Sequence, residues 1–156
     1  MMKFCAIIFI VISNVSFGQV KLFEPAIIPK NQSFGLTVSP NGNELFFVKS
    51  YGGRDTLQIF YSNKVNGQWQ KPTLAVFADT GHKQIDPAFS PDGNAILFNS
   101  LTSSETSFDI YITKKTFNSW TKPERLSDSI NTSSSDFYAT MTTQKHIYFT
   151  RRTKSN

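Results

Sequence analysis

Cysteine is all but missing from this chain: the single one, Cys5, lies within its first ten residues. Beyond that point no disulfide, thiol nucleophile or thiolate metal site can form. Histidine is nearly as scarce, with only His82 and His146, and their separation is no metal-ligand spacing. Charged residues make up 17 % of the chain. The basic ones are scattered rather than gathered into an arginine-rich stripe among aromatics, so the footprint of a nucleic-acid binder is lacking. The apolar run Phe4 to Ile12 is only nine residues long, too short to cross a bilayer. Segments rich in Ala, Leu, Glu and Lys, which would favour helix, do not occur. What the chain does have is aromatic and β-branched residues, 14 % aromatic with 15 phenylalanines, the composition of strands.

The start of the chain reads as a targeting segment. Lys3 supplies a positive charge, the apolar run follows, and Ser16 and Gly18 place small residues at the −3 and −1 positions of a cleavage site. Residues 1–18 are therefore expected to be a signal peptide, with the mature protein beginning at Gln19 in the periplasm or outside the cell. Cys5 sits at the start of the apolar run rather than after it, which argues against lipoprotein anchoring. Removal of Lys3 takes the formal charge from +5 to +4, because residues 1–18 contain no acid. The mature chain then has no cysteine, and packing alone must hold it together.

A phrase recurs. "SPNGNELFFVKS" at residues 39–50 returns as "SPDGNAILFNS" at 90–100. Shifted by 51 residues, 39–72 match 90–123 without a gap at ten of 34 positions: Ser39, Pro40, Gly42, Asn43, Phe47, Ile59, Lys64, Trp69, Lys71 and Pro72 fall on identical residues. Average residue usage would give roughly two. Each copy opens with a turn, in which proline pre-sets φ and glycine accepts a positive φ. A strand covered on both faces follows (45–48, 96–99), then a second strand (57–62, 108–113). Asn66-Gly67 is a strong hairpin signal, with the weaker Asn118-Ser119 in the second copy. A last strand runs through Trp69 or Trp120 and is expected to stop at Pro72 or Pro123. Four short antiparallel strands in about 50 residues make one propeller blade.

"DPAFSPDGNAILFNS", then "DIYI", a tryptophan and "KPERL", resemble the WD40-like β-propeller repeat of the TolB-like family. The second copy carries Asp86, Ser90, Pro91, Asp92, Gly93, Asp109, Ile110 and Tyr111 as that repeat asks. The first departs from it, with Gly35, Asn41 and Gln58 in place of the acids. The resemblance, over residues 34 to 150, implies an all-β fold: a partial propeller of about two and a half four-stranded antiparallel blades. The expected division is 19–33 N-terminal strand or linker (the strand being 19–28), 34–80 first blade, 81–131 second blade and 132–156 an incomplete third. Asp136, 50 residues after Asp86, and "KHIYFTR" mark the third, whose turn Met141-Thr142-Thr143-Gln144 has lost the proline, acid and glycine.

Residues that resemble chemistry have simpler readings. Asp92 sits at a turn corner that Asn41 fills in the sister copy. Asp86 and Asp136 are expected to satisfy backbone donors between blades. Ser90 lies in F-S-P-D-G, which is no G-x-S-x-G elbow. Trp69 and Trp120 are expected to fill inter-blade gaps at equivalent buried positions rather than to form a sugar platform. No catalytic, cofactor-binding or metal residue is assigned, and no cofactor is expected. The expected function is a non-catalytic exported binding or scaffold module, part of a longer protein. Its partner would be a protein or cell-envelope component, not nucleic acid, with no membrane span after signal cleavage. The alternative is an accessory propeller of a cell-envelope hydrolase acting on peptides or glycans. Open blade ends imply self-association of the isolated chain.

Overall fold

The computed structural model describes Phe23 and residues 26–53, 56–102 and 104–152; the expected signal peptide lies outside them. Every regular element among the described residues is a strand, and the chain is an all-β partial propeller of antiparallel sheets. The first sheet holds β1 (Ser33–Val38), β2 (Glu44–Ser50), β3 (Leu57–Val65), β4 (Gln68–Trp69) and β5 (Thr73–Leu74). The second holds β6 (His82–Phe89), β7 (Ala95–Thr102), β8 (Asp109–Lys114) and β9 (Glu124–Arg125). The third has two strands, β10 (Asp136–Met141) and β11 (Ile147–Arg151).

The repeated phrase makes the same turn twice. Gly42 N–H donates to the Ser39 carbonyl at 2.8 Å and Gly93 to Ser90 at 2.9 Å, with φ of 71° and 72° at the glycines. At position 93 glycine is also needed for space, since a Cβ there would come within 3.2 Å of Pro40 in the neighbouring sheet. The third turn reaches a similar geometry with other residues. Lys145 N–H donates to the Thr142 carbonyl at 2.9 Å, and Lys145 takes the positive φ of 65°. Asn66 and Gly67 both have positive φ, as a tight hairpin between β3 and β4 requires.

The fourth strand of each blade differs from expectation. It does not stop at the proline: pairing onto the third strand resumes past Pro72 through Thr73 and Leu74 and past Pro123 through Glu124 and Arg125. Proline removes one donor from the ladder, and an outermost strand tolerates that loss. Of the N-terminal strand expected over 19–28, the described residues Ala26 to Ile28 form turn and bend, and Ile27 and Ile28 pack on the first sheet.

Strand alternation sends successive residues of the second strands to opposite faces. Leu45 and Phe47 of β2 face Ile27, Ile28 and Trp69. Phe46 faces the second sheet, where it joins Ile59, Phe77, Ile96 and Phe98. From β7, Leu97 faces the third sheet and meets Ala139, Met141, Ile147 and Phe149. Each sheet thus buries one face against each neighbour, the packing logic of propeller blades.

The first strands, β1, β6 and β10, lie side by side and share an irregularity. The register shifts between Phe34 and Thr37, between Ile85 and Ala88, and between Phe137 and Thr140. Gly35, Asp86 and Tyr138 take the bulge with φ of 59°, 53° and 55°. Cross-strand partners align Ser33, Gln84 and Asp136 with one another. The structural mate of Asp86 in the third blade is therefore Tyr138, not Asp136. Because all three strands carry the same bulge, the offset comes from the spacing between blades: Asp136 lies 52 residues after its mate Gln84, not 50.

Candidate binding surface

The acids that stood out in the sequence hold the fold. Asp92 Oδ1 accepts from Ser90 Oγ at 2.5 Å and from Asn94 N–H at 3.0 Å. Asn41 does the same for Ser39 and Asn43, at 2.7 and 3.0 Å. The Ser90 hydroxyl, and then the Asn94 amide, hold the Asp92 carboxyl below its usual range. Asp136 is fully buried and accepts from Thr132 N–H at 2.8 Å and from Arg151 Nε at 2.6 Å. Its donors come from its own blade rather than from between blades.

Among the described residues Asp86 makes no side-chain hydrogen bond to a backbone donor of a neighbouring blade. It is half-buried on the bulge, with its backbone 3.7 Å from where a Gly35 Cβ would sit. Burial pushes its carboxyl up to about 6.

The histidines are separate. His82 lies on β6 with Nδ1 3.4 Å from Ser100 Oγ and Nε2 3.6 Å from Asp79 Oδ2. This trio of Ser, His and Asp is invisible in the sequence, because β6 and β7 bring it together. Both separations exceed a good hydrogen bond, and Ser100 is 1 % exposed, so the hydroxyl is not presented as a nucleophile. His146 sits beyond the third turn, where its amide donates to Thr142 Oγ1 at 3.2 Å. Among the described residues no group of three or more His, Cys, Asp or Glu gathers around a metal-sized site.

The two tryptophans occupy the same register: Trp69 pairs with Lys64 and Trp120 with Lys115. Both are half-buried rather than buried. Their surroundings diverge. Trp120 enters the gap between the first two sheets, with ring centroids 5.6 Å from Phe46, 6.1 Å from Phe77 and 6.1 Å from Phe89. Beside it Lys115 Nζ pairs with Glu44, and Tyr61 donates to the same carboxylate at 3.2 Å. Burial and then the Glu44 charge push the Tyr61 phenol up to about 12. Trp69 faces the other way, against Leu45, Phe47, Phe60 and Phe23, and its buried Nε1 has no partner among the described residues.

Clefts of about 530 and 390 Å³ open on either side of Trp120 in the first gap, and the gap between the second and third sheets holds one of about 540 Å³. Ala95, Ile112 and Met141 line it below, and Pro91, Lys114 and Lys145 lie at its edge. Ala95 and Ile112 are the repeat mates of Glu44 and Tyr61. Met141 holds in the third sheet the place of Phe89 in the second, by strand register. These are the positions that surround Trp120 in the first gap.

No protein-family model matches the chain, and no curated protein sequence does. Among solved structures, it is similar to TolB from Acinetobacter baumannii, with a TM-score of 0.51 at 19 % identity over 81 % of this chain. The match spans 28 % of that TolB chain. The likeness is one of fold, and it agrees with the stacked antiparallel sheets: this chain has a TolB-like β-propeller fold.

The sequence reading had missed the side chains that tie blades and loops together. Asn131 is buried, accepts from Ile110 N–H at 2.7 Å and donates to the Ile110 and Leu126 carbonyls at 2.9 and 3.0 Å. Asn99, also buried, donates to the Asp136 carbonyl at 2.7 Å across the second gap. Arg125 is held charged by Asp109, whose Oδ2 lies 2.5 Å from its Nε, and by Asp128. An apolar-strand pattern carries no signal for such residues, although Asn99 did interrupt the run "AILFN".

Proposed function

We propose that this chain is an exported, non-catalytic binding module, an arc of propeller whose partner is a protein or another component of the cell envelope. The observation that carries the reading is the TolB-like stacking of antiparallel sheets, which leaves clefts of about 540, 530 and 390 Å³ along the gaps between neighbouring blades. Further support comes from the acids: Asp92 and Asp136 are spent on turns and strand entries, and Asp109 on Arg125. The layout of residues 1–18 supports export.

The test is to express the full chain in a bacterial host and separate cytoplasm, periplasm and medium. The exported protein is expected to have the mass of a chain beginning at Gln19. Retention in the cytoplasm with Met1 intact would overturn export. Loss of a measured enzymatic turnover on Asp92→Asn, with the melting temperature unchanged, would overturn the non-catalytic reading.

A further inference from the structure

We propose that the cleft of about 530 Å³ beside Trp120 is a site for a small carboxylic acid built on an aromatic ring, whose carboxylate is received by Gln84 and Lys122. The proposal goes beyond the binding-module reading, which names no small ligand.

The third sheet shows which group the second one lacks. Gln84 pairs with Ser100 across the strands, and its mate Asp136 pairs with Arg151. Each of the two mates takes a backbone donor from the loop before its strand. Gln84 Oε1 accepts from Asp79 N–H at 3.0 Å, and Asp136 Oδ2 accepts from Thr132 N–H at 2.8 Å. In the third sheet the other oxygen of Asp136 receives Arg151 Nε at 2.6 Å, and Arg151 Nη2 goes on to the Ile130 carbonyl at 2.6 Å. In the second sheet the short Ser100 stands in the place of that arginine, and both Ser100 and Gln84 line the cleft. The atom left over also differs in kind. A carboxylate keeps a second acceptor, whereas an amide keeps a donor. Gln84 is 2 % exposed, and its Nε2 has no partner among the described residues. A buried donor left unmade is costly, so an occupant must bring it an acceptor oxygen.

The walls specify the rest of the occupant. Phe77 and Phe98 have ring centroids 5.3 Å apart, Phe98 and Tyr111 stack at 5.9 Å, and Trp120 lies 6.1 Å from Phe77. All four rings line the cleft, and such a row favours an aromatic body in offset or edge-on contact. The volume falls in the range of small-molecule sites, roughly 300 to 1,000 Å³. The acid of the cleft, Asp79, is engaged: Oδ1 accepts from Gly81 N–H at 2.9 Å, and Oδ2 faces His82 Nε2 at 3.6 Å. Lys122 is exposed and has no ion-pair partner among the described residues. A carboxylate is attracted by that free charge and supplies the oxygen that Gln84 needs.

The test titrates phenylpropanoate, phenylpropanamide and phenylpropylamine into the nitrogen-labelled full-length protein, with NMR shifts as the readout. Saturable shifts are expected with the acid at the Gln84 side-chain amide and at the Ser100 and Tyr111 backbone amides. The carboxamide keeps the acceptor oxygen without the charge and is expected to bind several-fold more weakly, and the amine at least tenfold. Lys122→Gln, at an exposed position, is expected to bring the acid down to the affinity of the carboxamide. Raising salt should narrow the same difference in part. Gln84→Glu retains the acceptor for the Asp79 amide and replaces the free donor with an oxygen; it is expected to turn the preference over to the amine. Should that variant fail to melt cooperatively, the Lys122→Gln comparison decides alone. No saturable shift at millimolar acid, shifts confined to the third sheet, equal affinity of acid and amine, or an acid affinity unchanged by Lys122→Gln would overturn the proposal. None of these outcomes depends on export, which the fractionation experiment tests separately.

Discussion

The two gaps between sheets are built from the same repeat positions and end up differently. In the first, Phe46, Phe77, Phe89 and Trp120 interlock with centroid separations of 5.4 to 6.1 Å, and Glu44 secures Lys115 at the rim. In the second, Leu97, Met141 and Phe149 belong to one largely aliphatic cluster without a tryptophan, and clefts open beside both gaps. Polar ties compensate in part in the second gap, where Asn99 spans to the Asp136 carbonyl and to the Tyr138 amide. The difference teaches that a blade's own residues set only half of each interface; the neighbour's later strands set the other half.

The most direct way to break this comparison is to hollow each gap in turn. Phe46→Ala removes a ring that is 1 % exposed and touches four others, and is expected to cost about 4 kcal/mol. Leu97→Ala, equally buried in the second gap, should cost about 2.5 kcal/mol, because fewer rigid partners surround the void. Chemical denaturation of both variants checks the order; equal costs would mean that the gaps are packed alike.

Within the second blade, Asn131→Ala would leave the Ile110 amide and two carbonyls without their side-chain partner. The expected loss is about 2 kcal/mol, with faster exchange of the Ile110 amide hydrogen as the local signature. The tryptophans come next. Trp120→Ala is expected to lower stability by about 2 kcal/mol and Trp69→Ala by about 1, since only the first is enclosed by a neighbouring sheet. Trp69→Phe should be close to neutral, as it discards the unpartnered buried Nε1. A larger loss at Trp69 than at Trp120 would reverse the reading of the two faces.

Asp86 sharpens the comparison along the inner strands, where its mates are Gly35 and Tyr138. Burial raises its carboxyl to about 6 in the folded protein, against about 3.9 when unfolded. Between these values the folded state holds the extra proton, so stability falls as pH rises from about 4 to 6. The full shift would correspond to about 3 kcal/mol, which partial solvent access reduces to about 1. Asp86→Asn keeps a residue tolerant of the positive φ. It is expected to raise stability at pH 7 by about 1 kcal/mol and to flatten that part of the pH profile, as thermal melts at pH 4 and 7 would show. Smallest of all, Asp92→Asn copies the first blade's Asn41 and should leave melting within about 0.5 kcal/mol of the parent.

Local rules carried the sequence reading a long way. The strands expected at 45–48, 57–62 and 96–99 fall inside β2, β3 and β7, and 108–113 overlaps β8 with a one-residue offset. Both Ser-Pro turns close as read. The failures have physical causes. Pro72 and Pro123 interrupt an edge strand without ending it. Asp136 and Asp86 are out of phase because equivalent positions of the second and third blades lie 52 residues apart rather than 50. The cleft between the second and third sheets leaves no motif to find, because its lining residues Ala95, Ile112 and Met141 are ordinary apolar strand positions.

By itself the sequence determined the repeat, the turn chemistry and the alternation that makes two-faced sheets, because each depends on residues within a few positions of one another. Only the tertiary structure decided which tryptophan is enclosed, which asparagine spans a gap, how deeply Asp86 is buried and where the cleft lies. Those properties belong to pairs of sheets. Residues about 50 positions apart in the chain must first be stacked face to face before a Glu44 can meet a Lys115 or an Ala95 can leave a space.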